Sequence, residues 1–405
     1  MSSARQRNVL IGQSGGATAV INASLVGAFE AAHTDARVGE IYGMHYGIEG
    51  LLKEDLIDLR RQPASLWPRL LRTPSAALGS CRYQLQDGDV ERILTLLRRY
   101  NIGYVLYTGG NDSADTSHRL AQAAREQGHE LAIISLPKTI DNDLPATDHC
   151  PGYGSAGRFF AQATIDSTLN MRALRATAPI KVIEIPGRTA GWLVSTSALG
   201  KRDEADPPHL ILVPEHPFRE EQFLERVEAV YRRVGTVVIA TSEAIHDEQG
   251  RFLGTAEPDQ TDAFHHPQIS GAGQALVKSI EHHLGLQGRT ENYGDLQWSS
   301  ISRTDQEEAY SVGQAGVRAG LQGVSDIMIT LVRQGTTPYR CTTGQEELVK
   351  IANQQRALPD EYFDAETMMV TPAFYEYALP LLGDPLPDYA RLEEIRVRPQ
   401  ETSQQ

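Results

Sequence analysis

Short apolar runs alternate along the chain with longer segments in which apolar positions recur every three or four residues. The runs NVLIG (8–12), IGYVLYTGG (102–110), LAIISLP (131–137), IKVIEIPG (180–187), HLILVPE (209–215) and GTVVIATSE (235–243) are short and carry few charges. That pattern predicts strands. AVINASLVGAFEAA (19–32) and SADTSHRLAQAAREQG (113–128) have helical spacing, the second closed by a glycine. Strands alternating with helices predict an α/β fold of doubly wound, mostly parallel sheet flanked by helices. Ligands of such sheets bind beyond the carboxyl ends of the strands.

The turn-rich stretch LPATDHCPGYGSAG (144–157) predicts a lobe boundary near residues 145–155. The expected lobes are 1–145 and 146–319. The chain after about 320 is expected to return to the first lobe as far as 390, leaving a polar tail over 391–405.

A chain of 405 residues has room for two or three domains, or for one large unit with a split core. No apolar run approaches the ~20 residues that span a bilayer, and the opening MSSARQRNVLIGQSGG contains no apolar signal core. A cytoplasmic protein with no membrane partner is expected. Cys81, Cys150 and Cys341 are too widely spaced for a metal or disulfide pattern. The formal net charge of -14 disfavours nucleic acid as a partner. It also requires that any anionic substrate be held by a local cluster of cations.

Three segments carry candidate chemistry. GQSGGATAVINAS (12–24) reads as strand, glycine-rich turn and helix start, which offers free backbone N–H groups and a positive helix end to a phosphate. A tight turn without ligand fits the same residues, and no Gly-Lys-Ser/Thr follows that would make a Walker A loop. YTGGNDSADTS (107–117) repeats the arrangement with an acid inside the loop; helix capping by Asn111, Asp112 or Ser113 is expected beside any ligand role. In PKTIDND (137–143), an extended chain would point Thr139, Asp141 and Asp143 to one face. Two carboxylates and a hydroxyl beside Lys138 suit deprotonation of a substrate hydroxyl while Lys138 or Mg²⁺ neutralises a phosphoryl group. The alternative is a solvated turn.

Together these segments resemble the phosphofructokinases, in particular their diphosphate-dependent branch. The resemblance extends in order through GSCRY (79–83), TDHCPGYGSA (147–156), GRTAGW (187–192), ILVPE (211–215), DQEEAYSVG (305–313) and VTPAFYEYALPLL (370–382). It implies two similar α/β lobes with the active site between them, Mg²⁺ as cofactor, diphosphate and a sugar phosphate as substrates, and a homo-oligomer with shared sites. By the same resemblance Asp141 is the catalytic base, supported by Thr139 and Asp143. Arg82 reaches the transferred phosphate. Gly15, Gly16, Gly110, Asp112 and Lys138 bind the donor. Gly187, Arg188 and Glu215 lie at the sugar, and Arg289 is a phosphate ligand serving a neighbouring subunit. The ATP-using branch has glycine at the positions of Asp112 and Lys138, so the two charged residues imply diphosphate as donor. The metal falls to Asn111 and Asp112, although the family more often has an acid at position 111.

The acceptor half departs from the family. Pro179 replaces an expected arginine, Trp298 follows Gln297 where another arginine is expected, and Asp295 occupies a histidine or tyrosine position. Each charge-assisted bond to a phosphate contributes about 1.5–3 kcal/mol. Three readings therefore stand. Lys181 or Arg303 substitutes and the acceptor is fructose 6-phosphate. Alternatively, the acceptor is an unphosphorylated sugar, polyol or nucleoside stacked on Trp298, itself open to a plain packing role. In the third, the chain is a non-catalytic regulatory relative.

Overall fold

The structure is a computed structural model that describes residues 6–174, 178–261, 267–392, 395 and 397. The 391–405 tail lies mostly outside the described residues. The apolar runs form the centre of two sheets. The first has seven strands in the order Tyr339–Glu347, Ile327–Thr336, Ala132–Pro137, Ile102–Gly109, Arg7–Gln13, Val38–Met44 and Leu56–Asp58. Its inner pairings are parallel and both edge strands are antiparallel. The second has four parallel strands in the order Gly288–Asn292, Ile180–Ile185, Val237–Ser242 and Leu210–Leu212. Ala132–Pro137, Ile180–Ile185 and Val237–Ser242 are buried at every position, as a strand covered by helices on both faces must be. The edge strand Leu210–Leu212 lies in one of the expected runs, whereas Tyr339–Glu347, Leu56–Asp58 and Gly288–Asn292 carry no apolar run; Tyr339–Glu347 is YRCTTGQEE.

Helix Ile21–His33 lies against helix Arg303–Leu321 through two glycines. A Cβ on Gly27 would meet the Tyr310 carbonyl oxygen at 2.0 Å, and one on Gly313 the Ser24 carbonyl oxygen at 2.0 Å. The backbones touch there, which fixes the first lobe's helical layer.

The returning chain divides. Ile327–Thr336 and Tyr339–Glu347 complete the first sheet. Leu358, Phe363, Val370, Phe374, Tyr377, Leu381 and Leu382 instead pack with Ile183, Ile185, Trp192 and Ile211 of the second sheet's layer. The expected first-lobe span to 390 is therefore corrected from about residue 358.

Candidate active site

Between the carboxyl ends of the two sheets lies a cavity of about 380 Å³. Four segments wall it: Gly15–Thr18 after the first strand, Gly110–Ser113 at a helix start, residues 138–143, and Pro186–Arg188 after strand Ile180–Ile185. Arg82, Glu243, Gln297, Trp298 and Gln355 complete the lining.

Glycine is required in the first wall. Gly15 has φ +74, in the left-handed region, and a Cβ there would stand 3.1 Å from Lys138 Nζ. Gly16 faces open space. The loop is pinned by the Gly15 N–H donating to the Cys81 carbonyl at 3.2 Å and by Ser80 Oγ donating to the Gly15 carbonyl at 2.6 Å. These bonds bring the Arg82 segment to the cradle.

At the second wall, helix Asn111–Glu126 starts after Gly110, and no side chain caps it. Asn111, Asp112 and Ser113 already belong to the helix, so the expected capping by one of them is corrected. The uncapped helix end opens on the cavity, as an anion site requires. Asn111 Oδ1 is buried with no hydrogen-bond partner, beside Asp112. A buried carbonyl oxygen without a donor beside a carboxylate suits a hard cation.

The 138–143 segment is not a simple strand. Asn142 has φ +56, which breaks the two-residue alternation. Thr139, Asp141 and Asp143 nevertheless line the cavity, while the Asn142 side chain turns away and donates through Nδ2 to Tyr377 Oη at 2.8 Å. Thr139 Oγ1 accepts from the Asp141 N–H at 3.0 Å. Enclosure in protein pushes the Asp141 carboxyl up from the usual carboxylate range; Asp143 pushes the same way, against Arg188 and Lys138. Enclosure also raises Asp143. Lys138 is only 5% exposed, and burial pushes its ammonium down to about 8, against the pull of Asp141 and Asp143.

In the fourth wall, Arg188 adopts φ +48, a strained conformation for a side chain of its size. Glu243 Oε1 accepts the Arg188 N–H at 3.1 Å, and Ser242 Oγ donates to the Arg188 carbonyl at 3.1 Å. Burial raises the Glu243 carboxyl. Trp298 lines the cavity from the short helix Gly294–Ser299, and Gln297 beside it is buried.

Other expected acceptor residues lie elsewhere. Glu215 sits behind the cavity wall, where Oε1 accepts the N–H groups of Gly191 and Leu358, each at 2.8 Å. Asp295 and Arg289 are exposed and absent from the lining. Pro179 and Arg289 stand at the amino ends of their strands, and a six-residue strand separates that end from the cavity by roughly 20 Å. Lys181 is engaged by Glu291 at 2.7 Å and Arg303 by Glu307 at 2.9 Å, so neither replaces the missing cations in this cavity. Glu243 and Gln355 went unread in the sequence. Glu243 ends the run GTVVIATSE, so its place at a carboxyl strand end was a usable signal. Gln355 lies in irregular chain that carries none.

Three cationic side chains (Arg82, Lys138, Arg188) thus face four carboxylates (Asp112, Asp141, Asp143, Glu243) across one small cavity. Opposed charges with raised carboxyls fit proton removal and handling of a compact anion.

The chain is similar to known proteins over nearly its whole length. The family model described as phosphofructokinase matches residues 8–319. A pyrophosphate–fructose 6-phosphate 1-phosphotransferase of Halomonas elongata is 37% identical over 395 residues, spanning 95% of this chain and 94% of that one. Another from Methylococcus capsulatus is 38% identical over 395 residues, with the same coverage. The crystal structure of a pyrophosphate-dependent phosphofructokinase from Marinobacter aquaeolei matches with a TM-score of 0.85 at 34% identity, covering 97% of this chain and 98% of that one.

Proposed function

The chain belongs to the phosphofructokinase family, and we propose from that premise that it transfers a phosphoryl group from diphosphate to fructose 6-phosphate, giving fructose 1,6-bisphosphate and phosphate. The observation that carries the reading is the convergence of Thr139, Asp141 and Asp143 with Lys138 and Arg82 on one cavity, in a chain alike to these relatives over nearly its whole length. Neither the unphosphorylated acceptor nor the non-catalytic relative gains support from those relatives.

The donor lies across the Gly15–Gly16 turn and the uncapped helix end at Gly110, with Lys138 and Arg82 on its oxygens. Asp141 accepts the proton of the attacking sugar hydroxyl, held in place by the bond from its own N–H to Thr139 Oγ1. Its raised basicity suits that task better than an ordinary carboxylate would. Asp143 lies beside it on the same cavity wall. Arg188 faces the acceptor on a loop fastened by Glu243.

Asn111 and Asp112 would hold Mg²⁺, which supplies neutralisation of phosphoryl oxygens when bound. The cavity needs it, because four carboxylates against three cations leave it unfit to hold a diphosphate unaided. Asp112 also selects the donor. A like charge ~4 Å from a nucleotide's inner phosphate costs roughly 1 kcal/mol in water and ~4 kcal/mol at an effective dielectric of 20.

Arg289, exposed and absent from the lining of its own cavity, serves a neighbouring subunit in a homo-oligomer. Among the described residues no helix is long and apolar enough to cross a membrane.

The test is a panel of acceptors offered with diphosphate and Mg²⁺: fructose 6-phosphate, sedoheptulose 7-phosphate, unphosphorylated sugars, inositols and nucleosides. Preferred turnover of fructose 6-phosphate supports the reading. Turnover of an unphosphorylated member alone would move the function to a rebuilt acceptor half.

A further inference from the structure

Beyond the first sheet, residues 353–358 form a strap across both lobes at the cavity rim. Asn353 Nδ2 donates to Asp115 Oδ1 on the donor-side helix at 2.9 Å. Gln355 lines the cavity and accepts from Thr189 Oγ1 of the acceptor loop at 3.3 Å. The Leu358 N–H donates to the same Glu215 oxygen that takes the Gly191 N–H.

Arg356 sits at the middle of this strap and has no carboxylate partner among the described residues. Its guanidinium is engaged by main-chain carbonyls instead. Nη1 donates to Thr147 O at 2.7 Å and to Asp148 O at 2.9 Å, and Nη2 donates to Asn142 O at 2.9 Å. Its own N–H donates to Asp143 O at 2.7 Å. The guanidinium carbon lies 4.5 Å from the centre of the Trp192 ring, whose Nε1 donates back to the Arg356 carbonyl at 3.1 Å.

Every one of the four gripped carbonyls belongs to the loop that carries Asp141 and Asp143. That loop has left-handed residues at Asn142 and Ala146, and among the described residues its strand-type pairing is limited to the isolated Thr139–Gly152 bridge. A planar fork is the side chain suited to gripping several carbonyls at once; an ammonium has one centre and cannot span them. Trp192 belongs to the acceptor side, six residues after Pro186, so the clamp also sets the catalytic loop against the acceptor lobe.

We propose that Arg356 is a positioning residue for phosphoryl transfer: it clamps the main chain of residues 142–148, and with it the Asp141 and Asp143 carboxylates, against Trp192. The proposal rests on the function given above. Misplacing a reacting group by about 1 Å costs roughly 100-fold in rate, so loosening this loop lowers kcat while leaving the donor cradle intact.

The test compares Arg356→Lys and Arg356→Ala with the wild type by steady-state kinetics and by amide hydrogen exchange over residues 139–152. Arg356→Lys keeps the charge and is the variant expected to fold. The expected result is a fall in kcat of about 10- to 100-fold, with KM for diphosphate changed by less than about threefold. Exchange of the loop amides rises about tenfold or more, while that of helix Asn111–Glu126 does not. Added guanidinium ion restores part of the kcat of Arg356→Ala. An Arg356→Lys enzyme with wild-type kcat and unchanged loop exchange overturns the proposal, as does a loss confined to KM. A wild type inactive with diphosphate would instead overturn the function, and the exchange result would still decide the clamp.

Discussion

Asp141 is held where a carboxylate is costly, enclosed in protein with Asp143 beside it. A carboxyl whose folded pKa is raised stabilises the fold at low pH, and that contribution is lost as pH rises through the raised value. At neutral pH the pair therefore weighs against folding. Asp141→Asn should raise the stability of the ligand-free protein by ~1–3 kcal/mol in denaturant unfolding at pH 8, and should lower kcat by about 10²–10⁴. A variant both inactive and destabilised would contradict this account of the charge. The same groups shape the pH profile of kcat/KM for diphosphate. The acid limb should stand above the ordinary carboxylate range, because Asp141 must be unprotonated to act. The alkaline limb should fall near the value of about 8 to which burial lowers Lys138, because the neutral amine no longer attracts the donor. Donor choice is tested by Asp112→Gly with Lys138→Gly, expected to raise kcat/KM for ATP relative to diphosphate by roughly 10- to 1000-fold. These residues were legible in the sequence because their roles depend on neighbours within one short segment. Gln355 and Arg356 were not, since NQQRALP has no periodicity and its partners are distant in the chain.

Among the elements, the loop at residues 147–150 is anchored by a buried charge cluster. His149 lies between Asp148 Oδ1 and Glu308 Oε2, each at 2.7 Å, and Arg333 donates to Asp148 at 2.9 Å. Burial opposes a charge on His149, but Glu308 and Asp148 outweigh it and hold the imidazolium up to about 9. Its contribution is thus complete below the ordinary histidine range and is lost as pH rises through 9. Breaking a buried pair from one side costs about 3–5 kcal/mol, so His149→Gln should unfold earlier in urea at pH 7, by a margin that narrows toward pH 10. At the crossing of helices Ile21–His33 and Arg303–Leu321, Gly313→Ala should cost ~1–3 kcal/mol by forcing the backbones apart, seen as a lower Tm with little change in KM. The alternating strand and helix pattern was readable because buried parallel strands are continuous apolar runs. The antiparallel edge strands and the return of residues 358–382 to the second core were not, because that packing is decided by surfaces formed only after folding.

For the whole molecule, the net charge of -14 sets the terms on which an anionic donor enters. On the proposed function its capture rests on Arg82, Lys138 and Arg188, which line one cavity, and on a divalent cation, so KM for diphosphate should rise steeply when Mg²⁺ is withdrawn. Arg289 lies far from its own cavity, so Arg289→Ala should raise KM for the acceptor only in an assembly of subunits. On the proposed homo-oligomer, dilution that dissociates the subunits, followed by light scattering, should produce the same rise in the wild type. The central claim is that diphosphate donates to fructose 6-phosphate, and ³¹P NMR of purified enzyme with Mg²⁺ and both substrates tests it most directly. The account predicts loss of the diphosphate signal with matched growth of fructose 1,6-bisphosphate and phosphate, and little reaction when ATP replaces diphosphate. Efficient transfer from ATP with diphosphate left untouched would contradict it.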